Sequence, residues 1–90
     1  MSEEHKSHKE ILDEINKANS KIVVGTVYAH YKNPGRRYRI KGFGTLESTD
    51  ELCVIYQAEY GEKLTFIRPV GGWLENLEWQ GKTVPRFTKL

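Results

Sequence analysis

The chain has 90 residues, 38% hydrophobic and 29% charged, with 14 Lys and Arg against 12 Asp and Glu for a net charge of +2. That bounds it to one small domain of ordinary soluble composition, and its single cysteine, Cys53, excludes an internal disulfide or a multi-cysteine zinc site. No run approaches the ~20 apolar residues of a membrane span, and the polar start from Met1 to Lys6 is no signal peptide, so a cytoplasmic protein is expected.

Residues 1–20 read as a helical arm. Ser7 and Glu10 form a capping box, each side chain serving the other's backbone N–H. Ile11, Leu12, Ile15 and Ala18 follow at helical spacing and predict one apolar stripe. A helix this short holds only if that stripe docks, on the rest of the chain or on a second copy. The second option would make the arm a homodimer contact.

From Lys21 the pattern turns to β, and residues 21–90 read as one β domain. Residues 22–31 are β-branched and aromatic and predict a first strand, closed by the turn Asn33-Pro34-Gly35. A second strand is expected over 37–46, a third over 52–60 and a fourth over 64–68, ended by Pro69. Gly71 to Glu75 predict a turn with a short 3₁₀ piece. A last hairpin, 77–79 with 83–87, closes around Gln80-Gly81-Lys82. Short strands with frequent turns predict a small antiparallel barrel or sandwich.

The second and third strands can be aligned by placing Leu46 opposite Leu52 across a polar loop, 47–51. Gly44–Val54, Gly42–Tyr56, Ile40–Ala58 and Tyr38–Tyr60 then share an apolar face. Thr45–Cys53, Phe43–Ile55, Lys41–Gln57 and Arg39–Glu59 share the other. Residues 21–46 carry six basic residues and no acid, whereas 47–62 carry five acids and no base. The hairpin should therefore answer much of its own positive charge.

No catalytic grammar is visible. His30 has no ligand neighbour at metal spacing and reads as a binding, acid–base or structural histidine. A pairing of His30 with Glu75 or Glu59 is the one enzymatic arrangement open to it. The serines lack Ser–His–Asp logic, and Gly71-Gly72 is too short for a phosphate loop. Arg68 and Arg86, each beside a proline, can grip a carboxylate or phosphate, or tie strands together. Trp73 reads as core and Trp79 as an exposed hairpin position.

The order Tyr28-x-His30-Tyr31-Lys32, Tyr38-Arg39-Ile40, Val54-x-Tyr56-Gln57-Ala58-x-Tyr60-Gly61, Arg68-Pro69, Trp73-Leu74-Glu75 and Val84-Pro85-Arg86-Phe87 resembles the bacterial domain-of-unknown-function family 1653. The resemblance spans about residues 24–88. It implies an SH3-like barrel of about five antiparallel strands, here preceded by the short helix, and it implies no activity. The chain departs from that pattern at Asn33-Pro34-Gly35 and at Gly71-Gly72-Trp73.

The expected function is a non-catalytic binding module without a cofactor. Its groove would be lined by Tyr28, His30, Tyr31, Tyr38, Arg68, Trp73 and Arg86, for an acidic or peptide-like ligand, a protein or a small anion. The alternatives are RNA or single-stranded DNA on Lys32, Arg36, Arg37, Arg39 and Lys41, or a structural, dimerising role.

Overall fold

The computed structural model describes residues 6–90, so the polar start and the helical-arm expectation lie outside the described residues over 1–5. Helix α1 spans His8–Asn19. The capping box forms as expected: Ser7 Oγ accepts from the Glu10 N–H at 3.1 Å, and Glu10 Oε1 accepts from the Ser7 N–H at 2.9 Å. Ile11, Glu14, Ile15 and Ala18 face the domain, and Ala18 is buried. Leu12 does not join them. One step is about 100° of helix rotation, and this leaves Leu12 59% exposed. The helix docks on its own domain, and the Lys6 N–H donates to Asp50 Oδ2 at 2.8 Å.

The run 22–31 is strand only over Val27–His30, β1. Its first half is turned by competing backbone bonds. The Lys21 and Ile22 N–H groups both donate to the Ala18 carbonyl, and Gly25 takes a left-handed φ of 89°. This drops Ile22 fully into the core. Local β propensity loses here to a tertiary contact, as it often does.

The remaining strands are β2 Arg37–Leu46, β3 Glu51–Ala58, β4 Thr65–Pro69, β5 Asn76–Trp79, β6 Lys82–Pro85 and β7 Phe87–Lys89. A short helical turn, α2 Val70–Trp73, follows Pro69. The fold is mainly β and antiparallel. One sheet runs β4-β3-β2-β1-β7, and β5 and β6 form a separate hairpin. Among the described residues β4 and β7 remain open edges, so hydrogen-bonded strands close no barrel. The hairpin turns on Gln80 and Gly81, both at positive φ (54° and 80°), which suits a two-residue turn matched to strand twist.

The β2–β3 register differs from the sequence expectation. Tyr38 faces Ala58, Arg39 faces Gln57 and Ile40 faces Tyr56; a bulge at Lys41 then shifts the ladder, so that Phe43 faces Val54 and Gly44 faces Cys53. The loop is one residue shorter than expected because Thr49 and Asp50 both donate to the Leu46 carbonyl, with Asp50 at φ 61°. The two-residue slip before the bulge preserves the faces. The one-residue slip after it does not, and it brings Phe43 onto the core. Arg39 and Glu59 still meet, diagonally, at 3.2 Å. Ile22, Tyr28, Ile40, Val54, Tyr56, Trp73 and Phe87 form the core, with Tyr38, Phe43 and Val70 packed against it.

Candidate functional site

The expected site residues divide into three groups. Tyr28 and Trp73 are core, 5% and 2% exposed, which corrects their assignment to a ligand surface. Their rings meet edge-on at 5.4 Å, and Trp73 stacks on Phe87 at 3.7 Å and 8°. Size decides this: two large rings, one on β1 and one on α2, are the main apolar area available to fill the space against a small sheet. The Tyr28 hydroxyl donates to the Lys21 carbonyl at 3.2 Å, and burial raises its pKa. Tyr38 packs edge-on against Tyr56 and Phe87, at 5.5 and 5.9 Å. Its hydroxyl lies 2.7 Å from that of Tyr60. Burial first, then that hydrogen bond, push its pKa up to about 12.

The second group lines an open groove of about 370 Å³. His30, Tyr31, Pro34, Trp79, Val84 and Pro85 shape it, beside Thr88 of the free edge strand β7. Tyr31 meets Trp79 edge-on at 5.3 Å across the gap between the main sheet and the hairpin. Sequence reasoning proposed His30 and Tyr31 for this role and missed Pro34, Trp79 and Pro85. The Gln80-Gly81 turn was the available signal, since it brings β5 and β6 into one flat hairpin. Neither Arg68 nor Arg86 lines this groove.

The third group lies around Phe87. Arg86 is a tie: its Nε donates to the Gly72 carbonyl at 3.1 Å and its Nη2 to Glu75 Oε1 at 2.7 Å. Arg68, opposite Val54 on β4, sits with its guanidinium 6.0 Å from the Phe87 ring centre. Its Nε is buried without a hydrogen-bond partner. His30 meets the same ring edge-on at 5.2 Å and thus joins this group to the groove.

The His30 Nδ1 accepts the Lys32 backbone N–H at 3.2 Å, which leaves the neutral ring's proton on Nε2. Burial, then the charges of Arg86, Arg68 and Lys32, lower its pKa. Glu75 is engaged by Arg86 and Glu59 by Arg39, so the geometry pairs neither with His30. The unfolded chain binds the His30 proton more readily than the folded one. Its contribution to stability is therefore present above about pH 6.5 and lost as pH falls toward its lower folded pKa. The expected observation is a His30 Cε1–H resonance titrating below 6.5, with the urea midpoint falling over the same interval. A titration at or above 6.5 would contradict it.

The basic residues of the nucleic-acid reading lie outside the lining of the Tyr31–Trp79 groove. Lys32, Arg36, Arg37 and Lys41 are exposed. Arg36 lies over Tyr60 at 5.1 Å, and Arg39 is spent on Glu59 and the Gly25 carbonyl. A second groove, about 320 Å³, lies between α1 and α2 over Ala18, Leu52 and Val70, and holds none of the expected site residues. Among the described residues no cluster of His, Cys, Asp and Glu could hold a metal, and no helix is long and apolar enough to cross a membrane.

The framework of aromatic core, paired arginine and closing hairpin spans the region in which a known family matches. The family described as "Protein of unknown function (DUF1653)" matches residues 26–89. The chain belongs to the DUF1653 family. A crystal structure of a DUF1653 protein from Bordetella bronchiseptica is similar to it, with a TM-score of 0.66 and 26% identity, over 78% of this chain and 90% of that one. No curated protein matches. The DUF1653 match begins after α1, so the docked helix lies outside it.

Proposed function

We propose that this DUF1653 domain is a non-catalytic binding module that seats an extended, peptide-like segment in the Tyr31–Trp79 groove. The observation that carries this reading is an open groove with aromatic and proline walls beside a free strand edge. Open edges take peptide strands by backbone pairing, and adjacent apolar pockets select side chains. The groove lining carries no acidic or basic side chain apart from His30, which favours a peptide over a strand of phosphates.

The SH3-like arrangement belongs to the same proposal. The five-stranded antiparallel sheet, the bulge at Lys41 and the helical turn α2 before the last strands support it.

The test is a ¹⁵N-resolved NMR titration with unstructured apolar and proline-containing peptides. Shifts are expected at Tyr31, the Trp79 indole and Thr88. Trp79→Ala is expected to weaken binding by roughly tenfold or more, as for a central aromatic contact, while the core amides stay in place. Shifts confined to other surfaces would sink the reading.

Nucleic-acid binding through exposed Lys32, Arg36, Arg37 and Lys41 is the second reading. It requires an affinity that falls steeply with salt. Unchanged oligonucleotide binding after Arg36, Arg37 and Arg39 are neutralised removes it.

A further inference from the structure

We infer that Arg68 is an oxyanion-binding residue, holding a phosphoryl or carboxylate group on the Phe87 side of His30, outside the groove described above. Arg39 and Arg86 are hydrogen-bonded to carboxylates and carbonyls. Arg36 and Arg37 are exposed to water. Arg68 is different. It is half-buried, its Nε is sealed from solvent with no acceptor, and no carboxylate among the described residues pairs with it.

A buried N–H without an acceptor is costly, and a guanidinium in that position ordinarily has an acid beside it. Glu75, the carboxylate in the group around Phe87, is held by Arg86 at 2.7 Å. The Arg68 stem lies along Gly72: its Nη1, Cγ and Cδ come within 3.6 to 3.9 Å of where a Cβ would stand. The guanidinium lies 6.0 Å from the Phe87 ring centre. Its planar fork is preorganised for the two oxygens of an oxyanion.

The surroundings agree in sign. Arg86, Arg68 and Lys32 all act as positive charges on His30, and His30 shares the Phe87 ring with Arg68, at 5.2 and 6.0 Å from its centre. Lys32, by contrast, is exposed and leans over Tyr31. The result is a partly desolvated excess of positive charge with one unused hydrogen-bonding fork. The Nε itself is sealed, so an oxyanion is held by the outer Nη1 and Nη2 groups, which have no hydrogen-bond partner among the described residues, with His30 packed on the same Phe87 ring.

The experiment is a titration of the full chain, followed at the Arg68 Nε–Hε resonance, with inorganic phosphate in one arm and acetate in the other. A saturable shift of Arg68 Hε, with shifts at His30 and Phe87, is expected. Saturation by phosphate alone assigns a phosphoryl ligand, and saturation by acetate as well assigns a carboxylate. Arg68→Gln is expected to abolish the His30 and Phe87 shifts. Arg68→Lys keeps the stem and charge but loses the fork, and is expected to weaken binding roughly tenfold; it keeps the test open if the glutamine variant does not fold. An unmoved Arg68 Hε in both arms, a non-saturating shift, or His30 shifts that persist in the folded glutamine variant each overturn the assignment. Small anions are used without any groove ligand, so this assignment and the peptide reading fail separately.

Discussion

Trp73→Ala is expected to bring the domain to the edge of unfolding at room temperature, with roughly half of the population unfolded. Trp73 is 2% exposed, stacks on Phe87 at 3.7 Å, and meets Tyr56 at 4.7 Å and Tyr28 at 5.4 Å. Removing a buried tryptophan to alanine costs about 3–5 kcal/mol, through lost transfer energy plus the cavity left behind. A single core of this size supplies roughly 3–5 kcal/mol of net stability, so the two are comparable. Collapse cannot refill the space cheaply, because the neighbouring rings are pinned by the β2–β3 ladder and by the Tyr28 hydroxyl bond. Urea denaturation followed by circular dichroism is the measurement. Trp73→Phe keeps a stacking partner for Phe87 and is expected to retain a cooperative transition at lower midpoint. A loss of under about 1 kcal/mol for the alanine variant would show that Trp73 does not anchor the core.

Arg86→Ala is expected to cost about 1.5–3 kcal/mol, the range of hydrogen bonds to charged groups. The side chain is 19% exposed and joins the chain just before β7 to α2 through Gly72, and to the start of the hairpin through Glu75. The two halves of that tie are unequal. Glu75 is 50% exposed, so water screens the ion pair, and its own contribution is expected near 0.5–1 kcal/mol. The Gly72 carbonyl would lose its charged donor. A double-mutant cycle with Glu75→Gln separates the two terms. Arg86→Lys is expected to recover less than half of the loss, because an ammonium cannot span both acceptors in one plane. A coupling energy equal to the whole cost of Arg86→Ala would mean that Glu75, not Gly72, is the essential partner.

Both variants act on residues legible in the chain itself. The Trp73 and Arg86 positions belong to a spaced aromatic and arginine pattern, which offered Trp73 both as core and as a groove wall; its burial makes it core. The expected capping box at Ser7 and Glu10 also formed, because it is a contact between residues three apart. What was not legible was which aromatic would be left open. Tyr28 and Tyr31 look alike in sequence. One is turned inward by the strand alternation of β1, and the other lies just beyond His30, where the strand has ended and the hairpin comes alongside.

Residue chemistry and spacing by themselves determined that this is a small, mainly antiparallel β domain with a capped N-terminal helix, and that it belongs with the DUF1653 pattern. These are properties of short-range order: turn residues, period-two alternation and an i, i+3 cap. The β2–β3 register, the fate of Ile22 and the separation of the aromatic groove from the arginines were decided only by tertiary structure. Each depends on a contact between distant segments. The Lys41 bulge is accommodated where Gly25 donates to the Ile40 carbonyl and Ile40 donates to Thr26, and Arg86 is spent on Gly72 and Glu75 before any ligand arrives. Arg86 is spent on a carboxylate and a carbonyl while Arg68 Nε has no partner, a difference between two arginines that spacing along the chain cannot express.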